Sequence, residues 1–294
     1  MGVQVPLSAP LSKDVEKCFG IFFVLQNLDL CVKIIIKIIY IGWHDAVKEQ
    51  NIYDNQIFFD EYRKLRGNPS SANIIVEKPA LFSLCPDLKG KTVLDLGCGY
   101  GENGKAFSGL GATKVVGIDI STKMLAVADQ ENKCENVIFS HMSMNDLSLL
   151  KEKFDVVVSS LAVHYIEDFD KLLKQIFDIL NDNGTFIFSQ EHPFTTALKE
   201  EKYWSRDNEG NILHYNLTDY SMLGERKTHW LVDNVIKYHR SISSIFNSLT
   251  NGGFIIEKVL EPVPDEKIME QYPAYKKYFH KPDFLLVKAK CKVK

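Results

Sequence analysis

No Cys-x-x-Cys pair occurs in the 294-residue chain, whose six cysteines (Cys18, Cys31, Cys85, Cys98, Cys134 and Cys291) are scattered along it. Neither a zinc site nor a disulfide framework fits such spacing, so a reducing cytoplasm is the expected setting. Clustered basic residues are missing too. Lys and Arg total 35 against 38 Asp and Glu, a formal charge of −3. That balance offers no electrostatic footprint for a phosphate backbone, and no nucleic-acid partner is expected. Internal repeats and low-complexity segments are absent. The strongly apolar stretch 20–43 lacks a small-residue cleavage site after it, so it fits a signal peptide badly. Asp29, Lys33 and Lys37 interrupt the same stretch, and each charge near a bilayer centre costs about 2.5–3.5 kcal/mol. A membrane span is not expected.

What the chain does contain is regular alternation. Ile57, Phe58, Tyr62 and Leu65 recur at helical spacing until Asn68-Pro69-Ser70-Ser71 breaks the run, and a second helix fits 73–84, before Pro86. Short apolar segments at 92–96, 114–119, 137–141, 154–160 and 185–190 read as strands. Helices fit between and after them at 102–110, 121–134, 168–180 and 241–251. This β–α order predicts an α/β fold with a doubly wound, mostly parallel sheet.

The most informative segment is VLDLGCGYGENG, Val93 to Gly104. A buried strand runs into glycines, and a helix begins near Glu102. Gly97, Gly99 and Gly101 let the backbone approach a ligand closely, while the helix N-terminus presents free N–H groups. Gly99, Gly101 and Gly104 also satisfy G-x-G-x-x-G, the dinucleotide pattern, so an NAD-dependent oxidoreductase stands as an alternative. Asp95, just ahead of the loop, argues against pyrophosphate and suits an ammonium group. Asp119 closes the next strand, where a carboxylate can accept both ribose hydroxyls of either cofactor.

Asp95-Leu96-Gly97-Cys98-Gly99-Tyr100-Gly101, with Ser121–Leu125 and FDVVVSSLAVHYI from Phe154 at the proper spacings, resembles the class I S-adenosylmethionine-dependent methyltransferases, in particular small bacterial enzymes acting on small molecules. The resemblance runs from about Val47 to the end. It implies a Rossmann-like sheet of seven strands in the order 3-2-1-4-5-7-6, the last (about 283–289) antiparallel. It also implies S-adenosyl-L-methionine as cofactor. Asp95, Gly97, Cys98, Gly99 and Gly101 would line its methionine end, and Asp119 would hold its ribose from a solvent-facing position, with little effect on the stability of the free protein. Ile120 and Met124 would lie beside the adenine, with Ser143, Met144 and Ser160 completing the donor site. A carboxylate that relatives often carry at the position of Ser143 is missing. Residues 1–46 are expected to be an extension outside the working domain, preceding a native start near Val47. Residues 47–294 would form the methyltransferase domain.

The acceptor is less legible. The Asn/Asp-Pro-Pro-aromatic tetrad of enzymes that methylate exocyclic base amines is absent after the fourth strand, which reads Ser159-Ser160-Leu161-Ala162. A Pro-Cys nucleophile is absent as well, and no carboxylate cluster suggests magnesium. A small-molecule acceptor is therefore expected, with tRNA or protein methylation as the alternative. Glu191 and His192 follow the fifth strand at the crevice edge, and a neutral imidazole there could serve as general base; equally, the pair could tie down the turn before Pro193. His164 fits either catalysis or packing. Residues 193–238, rich in aromatics, exceed an ordinary loop and read as a cap over the acceptor, and Arg240 beyond them is a candidate for an acceptor carboxylate.

Overall fold

The computed structural model describes residues 49–200 and 202–292. The apolar stretch 20–43 and the start expected near Val47 lie outside the described residues. All elements discussed below belong to the compact unit Asn51–Lys294.

Two helices come first, α1 (Gln56–Arg66) and α2 (Lys78–Leu84). The Rossmann-like core follows as β1 (Thr92–Leu96), α3 (Glu102–Gly109), β2 (Lys114–Asp119), α4 (Thr122–Glu131), β3 (Val137–His141), β4 (Phe154–Ser160), α5 (Phe169–Ile179) and β5 (Leu180–Glu191). Beyond it lie α6 (Pro193–Ala197), β6 (Trp204–Arg206), β7 (Ile212–Tyr215), β8 (Gly224–Trp230), β9 (Val232–His239), α7 (Ile242–Asn251), β10 (Phe254–Leu260), α8 (Glu266–Gln271) and β11 (Phe284–Cys291). The main sheet has seven strands in the order β3-β2-β1-β4-β5-β11-β10. Strands β1 to β5 pair in parallel, and β11 runs antiparallel to both β5 and β10. Counting β10 and β11 as the sixth and seventh core strands, this is the order the family resemblance implies.

Both faces of the sheet are covered, which is why β1 reads as an unbroken apolar run apart from Asp95. Successive residues alternate between two cores. Leu94 and Leu96 pack with Phe169, Leu172, Leu173 and Ile176 of α5, while Val93 packs with Leu81 and Leu84 of α2. By the two-residue period of a strand, Asp95 points to the α2 face with Val93. The helices start where their caps allow. Ser121 accepts from the Met124 N–H at 3.1 Å and Asp168 from the Lys171 N–H at 2.9 Å.

Two elements differ from expectation. β5 runs Leu180–Glu191 rather than 185–190. In α1 the buried stripe is rotated. Asn55 caps the helix at Gln56, which leaves Ile57 66% exposed and Leu65 38% exposed while Phe58 is fully buried. Phe58, Tyr62 and Arg66 thus lie at i, i+4 and i+8 on one face. Residues 193–238, read from sequence as a cap, form a short helix and two hairpins, β6–β7 and β8–β9. The tight turn of β8–β9 runs through Leu231, a non-glycine residue at φ 64°, so the Asn-Gly or Asp-Gly signature of a hairpin is missing from the sequence.

Candidate functional site

The site is built at the C-terminal ends of β1, β2, β4 and β5. Gly97, Gly99 and Gly101 all adopt positive φ (67°, 52° and 76°), but they serve different ends. A side chain at Gly97 would meet Ala162 Cβ at 2.6 Å, and one at Gly101 would meet Phe139 Cζ at 2.3 Å. Nothing lies within 4 Å of the corresponding position at Gly99. Two glycines are therefore needed for close packing inside the protein, and the third borders open space.

The loop is fixed from below by Asp119, whose Oδ2 accepts from the Gly99 N–H at 2.9 Å and whose Oδ1 accepts from the Ser121 N–H at 2.8 Å. The solvent-facing Asp119 expected from sequence is corrected here. Its carboxylate is half-buried, each oxygen already holds one backbone donor, and the loop depends on it. Burial raises its pKa against those bonds.

Asp95 is fully buried, and both its carboxylate oxygens lack a hydrogen-bond partner. Burial first, then the charges of Asp119 and Glu77, push its pKa from 3.8 up to about 7. Glu77, just before α2, escaped the sequence reading. It too is fully buried, and its Oε1 accepts from Ser160 Oγ at 2.9 Å and from Ser189 Oγ, so it ties together the ends of β4 and β5. Burial raises the Glu77 pKa, partly offset by those serines and by Arg66 and Lys78. Next to Ser160, Leu161 sits in the left-handed region at φ 53°, its N–H bonded to Ser189. A branched residue held there is backbone strain beside the crevice.

The other expected donor residues take varied places. Cys98 is buried, and burial holds its thiol well above the usual range. Met124 is 1% exposed and packs with Tyr100 and Val127. Ile120 offers its carbonyl to Asn51 Nδ2 at 3.0 Å and to His141 Nε2 at 2.9 Å. Ser143 accepts from the Asn145 N–H at 2.9 Å. Met144 is half-buried against the core, its Cε 3.9 Å from the position a Gly97 side chain would take.

Above the loop lies a roof assembled from distant segments. The turn Ile52–Asp54 is bolted to the start of α4 by Asp54, which accepts from Ser121 Oγ at 2.6 Å and from the Lys123 N–H at 3.1 Å. Tyr53 on that turn places its hydroxyl 3.4 Å from that of Tyr165. Trp230, at the tip of β8–β9, packs edge-on against Phe58 at 5.2 Å and Tyr62 at 5.9 Å. Lys237 of the same hairpin reaches Glu191 Oε1 at 2.6 Å and lies 4.9 Å from the Trp230 ring centre. Burial pushes the Glu191 pKa up, but Lys237 and its neighbours outweigh it and hold the carboxylate ionised. His164 is buried under this roof with no partner at Nδ1, and burial lowers its pKa to about 4. The ring is therefore neutral at ordinary pH.

His192 is fully buried and both its ring nitrogens are engaged. Nδ1 accepts from the Phe194 N–H at 3.1 Å, so Nε2 carries the proton and donates to Glu261 Oε1 at 2.7 Å. That arrangement caps α6 and leaves no lone pair for a general base. Arg240 likewise spends its guanidinium on the carbonyls of Ile166 and Glu167 and stacks on Phe169, so it is not displayed toward a ligand.

A left-handed glycine loop after the first strand, an unsatisfied acid beneath it and a second carboxylate on the next strand are the marks of a Rossmann-like enzyme that binds S-adenosylmethionine. The methyltransferase-domain family model matches residues 94–188. An S-adenosylmethionine-dependent methyltransferase from Mesorhizobium loti is 34% identical, with a TM-score of 0.69 over 77% of this chain and 99% of its own. A Listeria monocytogenes protein assigned to the same enzymes is 36% identical, TM-score 0.69, over 74% of this chain and 96% of its own. A Haemophilus influenzae protein of uncharacterised function is 42% identical over 82% of this chain and 96% of its own. The chain belongs to the class I S-adenosylmethionine-dependent methyltransferases, and S-adenosylmethionine is its cofactor; the nicotinamide alternative is set aside. Among the described residues no group of acids, histidines and cysteines is arranged to hold a metal, and no helix is long and apolar enough to cross a membrane.

Proposed function

We propose that the protein methylates a small molecule admitted beneath the roof formed by Tyr53, Trp230 and the β8–β9 hairpin. The observation that carries this reading is the roof itself: the 52–66 segment, the turn at Tyr165 and the β8–β9 hairpin, far apart in sequence, meet there, and Tyr62 packs 5.9 Å from Tyr100 of the glycine loop. They are held by the Tyr53–Tyr165 contact and the buried Lys237–Glu191 pair. A tRNA or protein acceptor calls for an open approach and, for tRNA, a basic one. The chain's formal charge of −3 supports neither a basic face nor tRNA.

On the donor side, Asp95, Gly97, Cys98, Gly99 and Gly101 border the methionine end. Asp119 takes the ribose on its remaining lone pairs, and Ile120, Met124, Ser143 and Met144 flank the adenine, with Ser160 at the reacting end. The fit rests on two features: the unsatisfied Asp95 carboxylate, which a cationic ligand would compensate, and the open space beside Gly99. When bound, S-adenosylmethionine supplies a methyl carbon already activated by its sulfonium, so the protein's task is chiefly positioning. Of the polar groups of the roof and beneath it, His164, Tyr165 and Tyr53 are neutral, since burial lowers the imidazole pKa and keeps both phenols protonated.

The deciding experiment incubates the protein and methyl-labelled donor with a small-metabolite fraction, with tRNA and with a protein fraction. Label transferred in the metabolite fraction is the expected result. Transfer only to tRNA or only to protein would reverse the assignment.

A further inference from the structure

His164 sits beneath the roof on a turn that is fixed at both ends. The turn Val163–Tyr165 follows the end of β4 at the crevice edge. Ahead of it, the Leu161 N–H donates to Ser189 Oγ at 3.0 Å, and the Tyr165 N–H closes the turn on the Ala162 carbonyl at 3.1 Å. Behind it, the Arg240 guanidinium donates to the carbonyls of Ile166 and Glu167. The imidazole packs on the Tyr165 ring, centroids 4.4 Å apart, and Tyr165 meets Tyr53 of the roof. His164 is 3% exposed, yet its Nδ1 has no hydrogen-bond partner. The other buried histidines of the described residues, His192 and His239, have both ring nitrogens engaged. A buried nitrogen left open on a rigid turn points to a partner that arrives with a ligand.

The charges around the ring are already matched. Glu191, Lys237 and Arg240 act on it. Lys237 pairs with Glu191 at 2.6 Å, and Arg240 is spent on the turn. A carboxylate or ammonium acceptor would have to disturb that buried pairing, and an uncharged acceptor would not.

We infer that His164 is the base of an O-methyl transfer, and that the acceptor is an uncharged hydroxyl compound whose O–H donates to Nδ1 of the Nε2-protonated ring. The inference rests on the acceptor entering beneath the roof. The hydroxyl oxygen commits a lone pair to the methyl carbon while the methyl–sulfur pair withdraws onto sulfur. The O–H bonding pair stays on oxygen, and the proton passes to Nδ1. Positive charge thus moves from sulfonium to imidazolium, where the Glu191 carboxylate favours it. With its pKa lowered to about 4 by burial, the ring is too weak a base to strip a resting hydroxyl. An oxygen gaining a methyl group, however, becomes a far stronger acid than imidazolium, so the transfer runs downhill as the bond forms. A methylated amine is a weaker acid than imidazolium and would keep its proton. The ring therefore serves oxygen and not nitrogen.

The test identifies the atom that is methylated. The full chain is incubated with a donor carrying a trideuterated methyl group and a small-metabolite fraction. Mass spectrometry and NMR of the labelled product then locate the new methyl, and a methyl ether is expected. A methyl ester, a thioether or an N-methyl product would overturn the proposal and leave the small-molecule reading intact. No label in the metabolite fraction would overturn that reading and the proposal with it.

Two variants assign the role of the ring. His164→Gln can hold the hydroxyl but cannot take its proton, and His164→Phe keeps the packing and does neither. Both should lower the initial rate of ether formation by about 10²–10⁴-fold. Affinity for S-adenosylhomocysteine, measured by calorimetry, should stay within about twofold of wild type. His164→Phe should melt no lower than wild type, because it removes an unpaired buried nitrogen. Ether formation at the wild-type rate by His164→Phe would mean that the ring only packs, and the proposal fails. It fails equally if both variants lose donor affinity as steeply as rate.

Discussion

Replacing Asp95 with asparagine should separate what a buried carboxylate does for the donor from what it does to the fold. The side chain is fully buried without partners, and its pKa rises from 3.8 to about 7. A group whose folded-state pKa is raised binds its proton more tightly folded than unfolded. The donor-free protein therefore loses stability as pH climbs between those two values and levels off above the higher one. At about 1.4 kcal/mol per unit, the shift corresponds to a burden on the order of 4 kcal/mol at pH 8. Asparagine resembles the protonated acid in size and polarity. Asp95→Asn should thus match wild type only near or below the ordinary carboxyl value of 3.8 and melt higher at pH 8; half of the burden relieved would raise Tm by roughly 4–8 °C for a protein of this size. Donor binding should move the other way. An ionised Asp95 favours a cationic ligand, so wild-type affinity should improve about tenfold from pH 6 to pH 8 as the acid gives up its proton. The variant should bind weakly and show no such slope. Thermal melts at the two pH values and calorimetry across the window are sufficient. A variant equally destabilised near pH 4 and at pH 8, or a wild-type affinity flat from pH 6 to 8, would refute the reasoning.

The two kinds of glycine should fail differently. Gly99→Val should abolish S-adenosylhomocysteine binding by calorimetry while lowering stability by only about 1–2 kcal/mol, the strain of a left-handed side chain in open space. Gly101→Ala must displace Phe139, so it should cost roughly 1–3 kcal/mol more in overpacking and show first as a lowered Tm. Asp119→Ala should weaken the donor ten- to a hundredfold or more and destabilise the free protein by about 1–3 kcal/mol, because the Gly99 and Ser121 N–H groups lose their acceptor. Asp119→Ala with wild-type stability would mean the loop stands without it. His192→Ala should lose the α6 cap, at about 0.5–2 kcal/mol, and leave a cavity, with donor affinity and turnover of the folded enzyme little changed. A hundredfold fall in turnover at unchanged Tm would restore it as the base.

Most of the sheet was legible because each signal is local. The bounds of β1 to β4 are those read from the short apolar segments. The same locality explains the misreading in α1. Periodicity alone marked Ile57 and Leu65 as inward, but the cap at Asn55 and the contact with Trp230 decide which side of α1 is covered. The β8–β9 hairpin turns at Leu231 and bends again at Asn234, φ 62°, where the sequence carries no glycine to announce either.

The site divides along the same line. Its donor half was readable because the loop and the carboxylate that ties it lie only 20 residues apart, Gly99 to Asp119, inside one strand–loop–helix–strand unit. The rest depends on pairs that no spacing connects: Ser160 to Glu77 across 83 positions, Ser189 to Glu77 and Tyr53 to Tyr165 across 112 each. Glu77-Lys78-Pro79 looks in sequence like an ordinary helix start, and only the fold reveals that it seals the crevice floor. His192 misled for the opposite reason, since its local setting at a strand end suits catalysis while its distant partner Glu261 binds it to a structural task. The glycine loop and its carboxylate are thus written in a short-range motif. The roof is written in long-range contacts, where changing one partner such as Lys237 leaves Glu191 without its direct ion pair. Substitutions there should come in pairs, and a Lys237→Met, Glu191→Gln double variant should be markedly less harmful to stability than either single change.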